Sequence, residues 1–115
     1  MYYDKKGKKI EMMEWAKLLE QDDYKIVKQE TLPDGKFVST VWLGLDYNFD
    51  GRSKPIIFET MVFSGKKETF KLMGRDMTLN HGDEVDIDRY STLKEALVGH
   101  DKMVFKYTNK LKKNV

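Results

Sequence analysis

Two stretches decide the fold: Lys36–Leu45, KFVSTVWLGL, and Pro55–Phe63, PIIFETMVF. In an extended chain successive side chains point to opposite faces. Phe37, Val41, Leu43 and Leu45 therefore share one face of the first stretch, and Val38, Thr40 and Trp42 the other. In the second, Ile56, Phe58, Thr60 and Val62 oppose Ile57, Glu59, Met61 and Phe63. Apolar character on both faces requires cover from both sides, which places the first strand in the middle of a sheet. Pro55 stands at a strand start, where a missing N–H is tolerated. The link from Asp46 to Lys54 is short enough to make the two strands antiparallel neighbours.

Working outward, Leu32-Pro33-Asp34-Gly35 is a turn with a mechanism. Proline presets φ, and glycine accepts the left-handed position. It joins the central strand to a half-buried strand over Tyr24–Thr31. Earlier still, Met12, Trp15, Ala16 and Leu19 recur at helical spacing, with Met13 and Leu18 widening the stripe. This predicts an amphipathic helix of three turns, with Ile10 as a hydrophobic staple and Asp22-Asp23 at its end. Asp4-Lys5-Lys6-Gly7 ahead of it is a turn signal.

On the C-terminal side a shorter strand is expected at Glu68–Met73, carrying Phe70 and Leu72. Residues 74–82 hold turn signals, Gly74 and Asn80-His81-Gly82, without a clear period. Glu84–Tyr90 reads as an edge strand with Val85 and Ile87 inward and Asp86 and Asp88 outward. Thr92 and Glu95 form a capping box. Leu93, Ala96, Leu97, His100, Val104, Tyr107 and Leu111 then hold one face of a long helix, with Gly99 marking close packing in mid-helix. The expected architecture is α+β. A mainly antiparallel sheet of four or five strands carries a short N-terminal and a long C-terminal helix on one face.

The chain has 115 residues, sufficient for a single domain with its own core. It has no cysteine, which excludes disulfides and thiolate zinc sites. No apolar run approaches the ~20 residues of a membrane span. The lysine-rich start leads into an amphipathic segment and does not resemble a signal peptide, so a cytoplasmic protein is expected. Net charge is +2, but only Arg52, Arg75 and Arg89 among the 21 basic residues are arginines. Scattered lysine supplies solubility more than base or phosphate recognition, which argues against a nucleic-acid partner. Lysines gather at both ends (Lys5, Lys6, Lys8 and Lys9; Lys106, Lys110, Lys112 and Lys113), with Asp83, Glu84, Asp86 and Asp88 between them.

The segments Val38–Asp46, Pro55–Phe63 and Arg89–His100, together with Glu14–Leu18 and Leu32–Gly35, resemble a group of short proteins encoded by bacteriophages and prophages. The resemblance spans most of the chain outside residues 65–88. It implies a phage or prophage origin, and so a host-cell cytoplasm, but transfers no mechanism. Members of the group often carry histidine where this chain has Tyr47. Small phage accessory proteins commonly bind host or defence components, which favours a binding role as a class.

Several residues invite chemistry. Asp46, Asn48, Asp50 and Gly51 copy the opening of a calcium loop, but Ile57 stands where the bidentate glutamate belongs, so these are weak metal candidates. His100 on an apolar helix face is ordinarily a hydrogen-bonded core histidine. Glu59, in a strand apolar on both faces, is either solvent-facing, paired with a lysine, or joined to His100 in a pocket beneath the helix. Glu84, Asp86 and Asp88, with His81 beside them, are spaced by about 7 Å along a strand, too far apart for one ion. Cysteine is absent and no glycine-flanked serine appears, so nucleophilic catalysis has no support.

No cofactor is implied, and no catalytic residue is assigned. Trp42, Phe49, Phe58, Met61 and Phe63 cannot all share one sheet face: either they are buried in the core, or, where both helices cover one face, the other leaves aromatic surface for a protein partner or a second copy. The expected function is that of a non-enzymatic accessory protein acting by protein–protein interaction. The rival is a small-molecule binder or minor enzyme using Glu59, His100 and Asp46 around a pocket between helix and sheet, with Trp42 a further candidate binding residue.

Overall fold

A computed structural model describes residues 1–46, 54–66, 68–79 and 81–113 of the chain. Its centre is a four-stranded antiparallel sheet in the order β3-β4-β5-β8, formed by Ile26–Thr31 (β3), Phe37–Trp42 (β4), Phe58–Phe63 (β5) and Glu84–Tyr90 (β8). β4 and β5 are neighbours in unbroken register from Phe37↔Phe63 to Trp42↔Phe58. The strands are shorter than the patterned stretches. Leu43 and Ile57 lie beyond the ladder, yet the Leu43 N–H still donates to the Ile57 carbonyl at 2.8 Å and the Ile57 N–H to Tyr90 at 3.0 Å. Gly35, at φ +94°, closes the β3–β4 turn as proline and glycine there demand.

Around this sheet stand β1 (Tyr2–Tyr3) and β2 (Lys9–Ile10), helix α1 (Met12–Leu19), a one-turn helix α2 (Asp22–Lys25) and the long helix α3 (Leu93–Lys113). The Asp4–Gly7 turn is present, with Asp4 Oδ1 accepting from the Lys6 and Lys8 N–H groups. That turn caps a small hairpin, β1–β2, so Ile10 pairs with Tyr2 as a strand residue. α1 runs two turns, not three, and Met12 and Met13 lie exposed. Asp22 to Lys25 form a helical turn and not the start of β3, their acids sitting in its first turn where the helix dipole favours them.

Both α1 and α3 pack on the same face of the sheet. Trp42, Ile57, Phe58, Tyr90 and Ala96 make one core cluster, against which Trp15, Leu18 and Leu19 of α1 pack. Leu32, Val38, Val62, Met103 and Tyr107 make the other. The buried stripe of α3 is Ala96, Gly99, His100, Met103 and Tyr107, rotated from the expected line. Leu93 and Leu97 stay 37% and 41% exposed, and the side chain of Leu111 lies outside the described residues. The cause is Gly99: a Cβ built there would overlap Tyr90 Cε1, Cζ and Oη. The glycine lets β8's tyrosine ring lie against the helix backbone and turns that side of α3 inward.

The facing of β8 is the reverse of the expected one. Asp86, Asp88 and Tyr90 lie opposite Val62, Thr60 and Phe58 on the helix-side face, while Ile87 and Arg89 lie opposite Met61 and Glu59 on the other; the register shifts beyond Asp86, at Val85. Alternation fixes only that the two sets differ. The choice falls to Tyr90, whose burial under α3 carries its same-face acids with it, and Asp86 meets polar partners there. Its carboxylate accepts from Tyr107 Oη and Lys106 Nζ, both at 2.8 Å.

Beyond the sheet the β5–β8 ribbon continues outward. Ser64 N–H donates to Asp83 at 2.8 Å and Gly65 N–H to His81 at 2.7 Å. Past that point Glu68–Leu72 (β6) and Arg75–Leu79 (β7) pair as a separate two-stranded sheet. β6 matches the strand expected at Glu68–Met73. β7, which periodicity did not announce, is its hairpin mate, and the main sheet has four strands.

Candidate functional site

The candidate polar residues occupy the two faces of the sheet separately. His100 is fully buried, as the ordinary reading of its position requires, and its two hydrogen-bond partners come from two strands. Nε2 lies 2.9 Å from Glu30 Oε2 on β3, and Nδ1 lies 2.7 Å from Thr40 Oγ1 on β4. Thr40 Oγ1 is in turn 2.6 Å from Thr60 Oγ1 on β5. Tyr90 of β8 ends the row. Burial pushes its hydroxyl's pKa up, and the nearby Thr60 offsets part of that rise. No described atom meets hydrogen-bond geometry with this hydroxyl.

The Glu30 carboxylate can only accept, so Nε2 is the donor of that bond. Thr40 Oγ1 lies within hydrogen-bond reach of both His100 Nδ1 and Thr60 Oγ1 and so links helix to sheet. Carboxylate, imidazole and hydroxyl follow one another as they do in a nucleophilic triad, but the hydroxyl is inaccessible. Thr40, Thr60 and His100 are 0% exposed. Glu30 lines a shallow groove on one flank of α3 and Tyr90 one on the other, while the sealed middle of the row reaches neither. Hydrogen bonds at net values of roughly 0.5–1.5 kcal/mol each hold α3 in register on the sheet. The row does structural work.

Glu59 lies on the opposite face, 7% exposed. Its Oε2 accepts from Arg89 Nε at 3.0 Å across the β5–β8 register. Its partner is thus an arginine on a neighbouring strand, neither a lysine nor His100, and the sheet itself separates it from the histidine. Trp42 is fully buried, its indole N–H donating to the Tyr3 carbonyl at 3.1 Å and its ring edge-on to Tyr24. It anchors the N-terminal hairpin and meets no surface. Asp46 accepts from the Ile56 N–H at 2.9 Å, a side-chain-to-backbone contact ten residues along the chain. Asn48, Phe49, Asp50 and Gly51 lie outside the described residues. Among the described residues no group of three or more histidines, aspartates or glutamates is placed to hold a metal ion. None of their helices is long and apolar enough to cross a membrane.

The other distinctive feature is the β6–β7 hairpin. Its register puts Phe70 opposite Met77 and Leu72 opposite Arg75 on one face, and Thr69 opposite Thr78 and Lys71 opposite Asp76 on the other. One face is therefore largely apolar and the other polar. Phe70, Leu72 and Met77 are 42%, 54% and 43% exposed, and Met73 at the tip is 96% exposed. Met73 and Gly74 have φ of +53° and +78°, the two-residue turn that suits a hairpin. Asparagine, aspartate or glycine is the usual first residue of such a turn, so a methionine there carries backbone strain in a fully solvated place.

Glycines set off this arm from the sheet. Gly65 and Gly82 hold φ of +81° and +79°, and a Cβ on Gly65 would strike the Gly35 backbone. The radius of gyration, 16.1 Å, exceeds the ~13 Å of a compact chain this long, as a projecting arm requires. Sequence reasoning did not find the His100 row, although Thr40 and Thr60 sat in register within two apolar strands. No protein-family model, curated protein or solved structure matches this chain, and the case for its function rests on its own residues.

Proposed function

We propose that the chain is a non-enzymatic accessory protein of phage or prophage origin that acts in the host cytoplasm by protein–protein interaction. The observation that carries this reading is the hairpin arm, with Phe70, Leu72, Met73 and Met77 presented to solvent on a ribbon that touches little but itself. An isolated two-stranded hairpin is marginal in water and gains stability when its apolar face is covered. Exposed apolar area of this kind marks interaction sites. The alternative based on Glu59, His100, Trp42 and Asp46 needs those side chains to converge on a cavity, and they lie on two faces and in the core.

The test uses the tagged protein as bait in host lysate and, separately, with a differently tagged copy. The wild type is expected to retain a stoichiometric protein partner in at least one setting. The Phe70→Asp/Met77→Asp variant, folded by circular dichroism, is expected to lose it. A wild-type bait that retains neither, or a partner held equally by the variant, would contradict the proposal.

A further inference from the structure

We infer that the buried row is a reversible hydrogen-bond switch: when His100 gains a second proton, every bond from Nδ1 onward turns round and the Tyr90 hydroxyl acquires the partner it lacks. Two observations meet in this reading. His100 is a titratable group with no exposed surface, and Tyr90 Oη is a buried hydroxyl without a hydrogen bond among the described atoms. Buried polar groups are nearly always satisfied, so an exception asks for a cause.

The donors and acceptors define two states. Ionised Glu30 accepts from Nε2 at 2.9 Å whatever the charge on the ring. With the ring neutral, Nδ1 carries no hydrogen and accepts from Thr40 at 2.7 Å, and Thr40 accepts from Thr60 at 2.6 Å. The Thr60 hydrogen is then engaged by Thr40, and Tyr90 receives none. With the ring protonated, Nδ1 donates to Thr40 and Thr40 to Thr60, which releases the Thr60 hydrogen toward Tyr90 Oη. Burial raises the pKa of that tyrosine hydroxyl, and Thr60 is near enough to offset part of the rise. The added proton comes from solvent during local opening of the helix. One N–H bond forms, the threonine hydroxyls rotate, and no other covalent bond breaks.

A buried imidazolium needs a counter-charge, which the Glu30 carboxylate supplies. β3 also brings Lys28 to this face, tied to Asp101 at 3.2 Å. β4 and β5 bring the two threonines and no charged group. β8 brings Asp86, Asp88 and Tyr90, with Asp86 engaged by Lys106 and Tyr107. α3 thus keeps its seat in both charge states, and its link to β8 is the stronger one in acid.

Tyr90→Phe separates this switch from a purely structural row. Urea unfolding at about pH 8 and about pH 5 brackets the range in which an ordinary histidine changes charge. At the higher pH, losing an unbonded hydroxyl should leave stability unchanged or raised. At the lower pH the variant should lose roughly 2–10-fold in its folded-to-unfolded ratio relative to wild type. The chain has two histidines, so a His81→Gln background leaves His100 as the sole imidazole signal in ¹⁵N NMR. Nδ1 is expected to gain hydrogen across this range while the amide spectrum stays that of the folded chain. Glu30→Gln keeps an acceptor for Nε2 but removes the charge, and should move that step down by about one pH unit or more. A Tyr90→Phe difference equal at both pH values, an Nδ1 that stays bare until the chain unfolds in acid, or a Glu30→Gln step at the wild-type pH would each overturn the inference.

Discussion

Replacing Gly99 by alanine tests the packing of α3 on the sheet. On an isolated helix the change is favourable by about 1 kcal/mol, since alanine is the best helix former and glycine among the worst. In this fold the new methyl would overlap two ring carbons and the hydroxyl oxygen of Tyr90, far inside the ~3.5–4.0 Å of an ordinary carbon contact. The ring is rigid, lies between β8 and α3, and is only 9% exposed, so it has little room to move away. Overpacking of this kind costs about 1–3 kcal/mol, and relief here requires α3 to lift Ala96 from its cluster with Trp42, Ile57 and Phe58. With contacts this close the cost falls in the upper part of that range and exceeds the helix gain by roughly 1–2 kcal/mol, a fall in Tm of about 4–8 °C for a domain of this size. Urea unfolding followed by circular dichroism measures it. In a Tyr90→Leu background the clash is gone, and Gly99→Ala should turn neutral or stabilising, a coupling that the double-mutant cycle isolates. Gly99→Ala as stable as wild type with Tyr90 intact would refute the packing.

The buried row and the Asp86 contacts give further expectations. Thr40→Val keeps the shape but removes the hydroxyl, leaving His100 Nδ1 buried without its partner; a loss of about 1–3 kcal/mol is expected in the same urea assay. Asp86 is held below the usual carboxylate value of 3.8 by its hydrogen bond from Lys106 first and that from Tyr107 second. Because its folded pKa is the lower one, its stabilisation is fully present above the unfolded value and is lost as pH falls through the folded value. The stability gap between wild type and Asp86→Asn should be constant at neutral pH and shrink in acid below 3.8, which unfolding curves across that range would show.

The central strands were legible because two-faced apolar runs have one good solution, a covered sheet. The capping box was legible because it is local: Thr92 Oγ1 accepts from the Glu95 N–H at 3.1 Å and donates to Glu95 Oε1 at 2.9 Å. The facing of β8 was not, since alternation is symmetric and only Tyr90's docking on Gly99 breaks the tie. The row through Glu30, Thr40, Thr60 and His100 joins residues up to 70 apart, and no local pattern announces such a contact. β7 was missed for a related reason: Arg75, Asp76 and Thr78 mask an alternation that shows only once Met77 is paired with Phe70.

The arm as an interaction surface is tested most directly by amide hydrogen exchange resolved along the chain. With rising protein concentration, or on adding a captured partner, amides of residues 68–79 should exchange several-fold more slowly. Those of Phe37–Trp42 and Phe58–Phe63 should not change. Arm amides that exchange at the same rate alone, concentrated and with partner would contradict a function built on that surface.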